Sequence, residues 1–241
     1  MGKIKKVFVE AKRKINSFVL SGDKFLCPLC NKSFKKFLPY GANPIRQNVC
    51  CPCCGSLERH RLLWLVLQSM WNEDKLSSSG NLLHVAPEPV FQDKFIKMFD
   101  YISIDLDGSN AMKAMDITDL KFKDEEFDVV ICNHVLEHVI NDKKAISEMY
   151  RVMKYGAWGS IQVPMKGSIT DEDFTVTDPA EREKRYGQCD HVRQYGSDYV
   201  DRLKEAGFKV LVIDNNDFLG NEELNRIRVP IDEVVVLVIK E

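Results

Sequence analysis

The chain has 241 residues, 44% of them hydrophobic and 29% charged, enough apolar material for a real core in one large domain or a domain with an appendage. No apolar run approaches the roughly 20 residues that span a bilayer, and the lysine-rich N-terminus lacks the uninterrupted apolar region of a signal peptide, so a cytoplasmic globular protein is expected. The formal charge of −2 hides an asymmetry: residues 1–75 carry 14 basic and five acidic side chains, a net +9, leaving −11 for residues 76–241. A basic first third either faces a negatively charged surface or substrate or is a solvated face.

In chain order, Ile4, Val7, Phe8, Ala11, Ile15, Phe18 and Val19 recur at helical spacing, with Lys3, Lys5, Lys6, Lys12, Arg13 and Lys14 between them. This predicts a basic amphipathic helix, which either packs its apolar stripe on its own domain or lies on an anionic membrane as a peripheral contact. Cys27-Pro-Leu-Cys30 and Cys51-Pro-Cys-Cys54 follow. A paired C-x2-C suits four thiolates around one Zn²⁺, a closed shell that is structural and not catalytic. Cys27, Cys30, Cys51 and Cys54 form the preferred set because Pro follows the first Cys of each half; Cys50 or Cys53 as a replacement ligand stays open, as does an iron–sulfur cluster. Six of eight cysteines before residue 55 point to a metal in a reducing compartment and away from disulfides. Ser56-Leu-Glu-Arg-His-Arg61 adjoins the cysteines, Leu57–Trp71 is a predicted helix, and Ser77–Gly80 reads as a linker. The expected division is residues 1–76, with helix, zinc knot and connecting helix, and residues 77–241.

From Leu82 strands alternate with helices: strand 82–85, helix about 90–99, strand 101–105, a short strand near 114–117, strand 127–132, helix about 141–153, strand 158–163, helix 199–206, strand 207–214 and a last strand 234–239. That alternation predicts an α/β fold with a doubly wound, mostly parallel sheet, whose ligands bind beyond the carboxyl ends of the strands. The run Phe127-Asp-Val-Val-Ile-Cys-Asn-His-Val-Leu-Glu-His-Val139 places Asn133, His134, Glu137 and His138 at such an end.

Several of these segments resemble class I S-adenosylmethionine-dependent methyltransferases, over about residues 80–240. The similarity lies in Val135-Leu-Glu-His-Val139, in Tyr101-Ile-Ser-Ile-Asp105 ending a strand in an acid, in Ala114-Met-Asp116-Ile117, and in Arg151-Val-Met-Lys-Tyr-Gly156 before a strand. A subgroup of bacterial methyltransferases also joins a cysteine knot and Ser-Leu-Glu-Arg-His-Arg to a His-Val-Ala-Pro-Glu loop. The resemblance implies a seven-stranded Rossmann-like sheet and S-adenosylmethionine as cofactor. Asp105, with Leu106 beside it, would receive the ribose hydroxyls, Asp116 and Ile117 the adenine, and Asn133 and His134 the methionine portion. The loop after the first strand departs from the family, because Ala86, Pro87, Glu88 and Pro89 stand where glycines are usual; backbone near Ala86 and Pro87 would line the pocket and Glu88 would meet the cofactor's ammonium group.

Transfer to a hydroxyl needs a group that takes its proton. Of five histidines, His191, in Gly187-Gln-Cys-Asp-His-Val-Arg-Gln-Tyr-Gly196, is the expected base, with His134 second; His84 and His138 read as packing residues. The acidic stretches Thr170–Phe174 and Asp178–Arg182 look like a lid. The reading is O-methylation of a small molecule or a glycan or lipid-linked intermediate. Nucleic acid is the less favoured acceptor, since Asn133-His-Val-Leu lacks the Pro-Pro-Tyr type motif for base amines, and a non-catalytic zinc-ribbon adaptor is a further alternative. Nothing in the sequence fixes the oligomeric state.

Overall fold

The computed structural model describes the backbone of residues 3–41 and 44–241 and the side chains of these from Phe8 onward, so Ile4 and Val7 of the apolar stripe lie outside the described side chains. The chain begins with α1 (Lys3–Val19), β1 (Ser21–Cys27), β2 (Lys32–Phe34), β3 (Leu38–Tyr40), β4 (Arg46–Cys50) and α2 (Glu58–Asn72). Then come β5 (Asn81–Val85), α3 (Pro89–Met98), β6 (Asp100–Asp105), β7 (Lys113–Ala114) and β8 (Phe127–Asn133), followed by a 3₁₀ turn at Leu136–His138, α4 (Asp142–Val152) and β9 (Met153–Gln162). The last part holds β10 (Asp171–Glu172), α5 (Pro179–Tyr186), β11 (Arg193–Gln194), α6 (Tyr199–Glu205), β12 (Phe208–Asp214), α7 (Asn215–Phe218), α8 (Asn221–Ile227) and β13 (Val234–Lys240).

These residues divide into two compact units. One comprises Met1–Leu76, Pro89–Lys94 and Val212–Val235; the other Ser77–Glu88, Phe95–Leu211 and Val236–Glu241. The first unit is thus wider than the residues 1–76 expected from the linker at Ser77–Gly80. The reason is packing: Phe91 meets the rings of His60 and Trp64, and the buried Arg61 donates to the carbonyls of Ile227 and Arg228. Two antiparallel ribbons, β1 with β2 and β3 with β4, carry the cysteines, and Phe34 and Phe37 pack edge to face at 6.0 Å beneath them.

The second unit is built on a seven-stranded sheet in the order β12-β13-β9-β8-β5-β6-β7. β5 runs parallel to both β6 and β8, β8 parallel to β9, and β13 antiparallel to β9. Numbered along the sheet this is 3-2-1-4-5-7-6, and β5 stands where the winding reverses. β8 is buried along almost its whole length, as a central parallel strand covered on both faces must be. Gly159 lets β9 approach it, since a Cβ there would lie 2.8 Å from the Val130 carbonyl oxygen. Leu83, Val130, Ile146, Met149 and Tyr199 belong to the core on one face of this sheet.

Candidate functional site

Parallel register decides what meets at the sheet edge. Val85 is level with Ile104 and Cys132, and Asp105 with Ala114. Ala86, Asp105 and Asn133 therefore leave three adjacent strands on one edge, at the reversal point where open α/β sheets hold ligands. The expected cofactor residues lie on this edge: Ala86, Pro87 and Glu88 after β5, Asp105 at the end of β6 with Leu106 following, Asp116 and Ile117 after β7, and Asn133 at the end of β8 with His134 following.

Ala86 takes φ +44, and its N–H bonds to the Ile104 carbonyl at 2.8 Å. This chain thus keeps, with the smallest Cβ available, a conformation that favours glycine, at a cost of about 1–2 kcal/mol. Pro89 then starts α3 at its first position, where a missing N–H costs nothing. Glu88 and Asn133 are coupled: the Asn133 amide donates to Glu88 Oε2 at 3.0 Å while its Oδ1 accepts from the Ser160 hydroxyl at 2.9 Å. Asp105 Oδ1 accepts from the Leu106 N–H at 2.8 Å, and Leu106 is exposed. Asp116 Oδ1 accepts from both the N–H and the hydroxyl of Thr118, a local turn, while Ile117 is buried.

His134 takes φ +55 and places Nδ1 3.4 Å from Glu137 Oε1. Between β8 and α4 the chain makes a 3₁₀ turn at Leu136–His138, which carries Glu137 and His138 close to His191. Ligand atoms of Glu137, His138 and His191 lie within 4.8 Å of one another. His191, only 3% exposed, bonds through Nδ1 to the Tyr186 carbonyl at 3.1 Å. Burial lowers its pKa, so the ring is neutral near pH 7. Sequence reasoning gave Glu137 no role and read His138 as packing; the adjacency of Glu137-His138 and the pair Asp190-His191 were the available signals.

Of the acidic stretches expected as a lid, Thr170–Phe174 is committed to ion pairs, while Asp178 caps α5 by accepting from the N–H groups of Ala180 and Glu181. β10 pairs with β11, Arg185 holds Asp171 and Asp173, and Glu172 receives Arg193 and Arg202. Arg193 is buried and donates to the carbonyls of Leu136, Val139 and Ile140, so it braces the 3₁₀ turn.

Sulfur atoms of Cys27, Cys30, Cys51 and Cys54 form one cluster, with Cys27 to Cys54 at 3.6 Å and Cys30 to Cys51 at 3.8 Å. Ligands of a tetrahedral zinc at about 2.3 Å stand about 3.8 Å apart, so the set fits that ion. Neither Cys50 nor Cys53 belongs to the cluster. Arg61 does not reach outward: it is fully buried and also donates to the Val49 and Ser56 carbonyls, both at 2.9 Å. The Ser56 hydroxyl lies 3.1 Å from the Cys27 sulfur.

Residues 93–161 match the family model described as a methyltransferase domain. The solved structure of an S-adenosylmethionine-dependent methyltransferase from Archaeoglobus fulgidus is similar over 73% of this chain and 94% of that one, with TM-score 0.50 and 16% identity. The sheet has the Rossmann-like fold of that methyltransferase. Phosphoethanolamine N-methyltransferase 2 of Haemonchus contortus aligns with TM-score 0.46 and 12% identity, over 73% of this chain and 52% of that one. An uncharacterised protein of Methanocaldococcus jannaschii is 34% identical over 113 residues, 46% of this chain, and the chain spans about half, 52%, of that relative's length.

Proposed function

We propose that this chain transfers a methyl group from S-adenosylmethionine to an oxygen of a small-molecule, glycan or lipid-linked acceptor. The observation that carries the reading is the convergence of Ala86, Asp105 and Asn133 on one edge of a methyltransferase-type sheet, at the point where its winding reverses. Asp105 would hold the ribose hydroxyls, Asp116 and Ile117 the adenine, and Glu88, oriented by Asn133, the ammonium group. The bound cofactor supplies the electrophilic methyl. Of the two expected bases, His134 fits better: its side chain is 26% exposed and lies beside the buried Glu137 carboxylate, which stabilises the imidazolium formed on taking the acceptor's proton. His191 is too enclosed to meet an acceptor directly. Zn²⁺ on Cys27, Cys30, Cys51 and Cys54 holds the first unit together.

Titration of S-adenosylmethionine and S-adenosylhomocysteine into the zinc-loaded chain tests this. The expected result is micromolar binding, on the order of −8 kcal/mol, lost in Asp105→Ala. No binding to the folded wild-type chain would overturn the reading.

A second contact is proposed with an anionic membrane surface through α1, and its support is orientation. Arg13 lies against Gly55 of the cysteine knot, and Arg13, Asn16 and Ser17 are half-buried. Phe8, Ile15, Phe18 and Val19 stand 72%, 64%, 86% and 57% exposed. The helix thus turns its polar side inward and its apolar stripe outward. Lysines at 12 and 14 flank that stripe on opposite sides, the arrangement that lets apolar groups enter a bilayer interface while ammonium groups meet lipid phosphates. No helix among the described residues is long and apolar enough to cross a membrane.

A further inference from the structure

Around the 3₁₀ turn two buried acceptor atoms are left without a donor, beside the partly exposed ring of His138. Among the described residues, Glu137 Oε2 and His191 Nε2 are buried side-chain atoms with no hydrogen-bond partner, and Glu137 and His191 are 1% and 3% exposed. The His191 Nδ1 is engaged by the Tyr186 carbonyl at 3.1 Å. A carbonyl only accepts, so Nδ1 carries the proton and Nε2 is left as a lone pair. His138 places its Nδ1 3.2 Å from Asp190 Oδ2, an acceptor that holds the Nδ1 proton and leaves Nε2 as the ligating nitrogen. The two imidazoles meet edge to face, with centroids 4.7 Å apart at 82°. A buried carboxylate oxygen and a buried imidazole lone pair in one cluster, with the His138 ring beside them, are costly unless something positive lies between them.

We propose that Glu137, His138 and His191 bind a divalent transition-metal cation. Two imidazoles and one carboxylate form the donor set that suits Mn²⁺, Fe²⁺, Co²⁺ or Zn²⁺, and three protein ligands leave open positions. Asp190 and the Tyr186 carbonyl act as outer partners that fix each ring's tautomer and direction. This site is separate from the four-cysteine cluster in both residues and ligand type, being nitrogen and oxygen where the other is sulfur. The cation site stands on these side chains alone. Its placement beside an acceptor oxygen, with His134 sharing Glu137 through Oε1 at 3.4 Å, rests on the methyltransferase reading. There His191 is a ligand, which explains a histidine too enclosed to act as the base.

The test uses the full chain carrying one zinc equivalent. Mn²⁺ is titrated in, with the free ion followed by its electron paramagnetic resonance signal, and cofactor binding is measured on the same protein. The expected result is one further equivalent bound, weakened roughly 10- to 100-fold by Asp190→Asn and lost in Glu137→Gln and His138→Ala, with zinc content and circular dichroism unchanged. Asp190 is 63% exposed on its side chain, so that variant reads positioning free of folding damage. No second equivalent, or equal affinity in wild type and all three variants, would overturn the proposal. Cofactor binding without Mn²⁺ binding sinks the cation site alone, and Mn²⁺ binding without cofactor binding sinks the methyltransferase reading alone.

Discussion

His84 shows how a single residue ties the sheet edge to pH. Its position in β5 is fully buried, and its Nε2 accepts the Glu88 N–H at 3.3 Å, which leaves the proton on Nδ1, 3.1 Å from the Tyr101 hydroxyl. Burial therefore favours the neutral ring and lowers the pKa from 6.5 to about 4, against a smaller opposing pull from Glu88. The unfolded chain binds a proton here below about pH 6.5 that the folded chain refuses until about pH 4. Stability therefore falls as pH drops through that window, with a slope approaching about 1.4 kcal/mol per pH unit, for a total of about 3 kcal/mol. His191, whose pKa burial also lowers, adds in the same direction. Thermal unfolding of wild type and His84→Gln from pH 8 to pH 4.5 isolates the effect, because acid loss of zinc is common to both. The destabilisation caused by the variant is expected to shrink as pH falls, and a difference independent of pH would refute the assignment. Glu88 hangs on this ring through its N–H and on Asn133 through its carboxylate, so His84, readable from sequence only as a buried residue, positions a candidate cofactor contact.

At the level of elements, α1 makes a prediction that sequence periodicity alone could not. The repeat of Phe8, Ile15 and Phe18 fixes an apolar stripe, but whether that stripe meets protein or solvent depends on where Arg13 and Gly55 come together. With the stripe outward, Phe8→Ser with Phe18→Ser should leave the melting temperature almost unchanged, since both rings are exposed. It should abolish sedimentation with vesicles rich in phosphatidylglycerol. Lys12→Glu with Lys14→Glu should do the same, each lysine being worth about 1 kcal/mol near an anionic surface. Wild type that stays in solution, or that binds phosphatidylcholine vesicles equally, would exclude the lipid surface, and preference for RNA would reassign the charge. The strands of the seven-stranded sheet together with α3, α4 and α6 were legible to within about two residues at most ends, because buried parallel strands are nearly continuous apolar runs, whereas β10, α5, β11, α7 and α8 were not anticipated. The start of β9 was not legible either: it lies at Met153, since Lys154-Tyr-Gly156 continues the strand where the sequence reads as a turn. The four-cysteine cluster was legible from spacing. The Glu137, His138 and His191 cluster was not, because its members come from a 3₁₀ turn and a distant loop, and their convergence depends on Arg193 bracing the turn's carbonyls.

For the whole molecule, the consequence lies in how the chain is shared between its two units. A linker such as Ser77–Gly80 suggests that cutting there would free a complete sheet domain. The chain, however, passes from one unit to the other at residues 76/77, 88/89, 94/95, 211/212 and 235/236, so the first unit draws on residues far downstream of the linker. Leu224, Ile227 and Val229 are buried, and Phe91 rests on His60 and Trp64. All four would remain in a fragment of residues 77–241 after residues 1–76 are removed. Conversely, a fragment ending at residue 76 would leave Arg61 without the Ile227 and Arg228 carbonyls, stranding part of a fully buried guanidinium at a cost of several kcal/mol. Two fragments split at 76/77 are therefore each expected to be poorly soluble or to bind a hydrophobic dye strongly, and to recover a cooperative melt only when co-expressed. A fragment of residues 77–241 that melts cooperatively at the temperature of the full chain would show that the sheet unit stands without the cysteine unit, and that the downstream segments were merely resting on it.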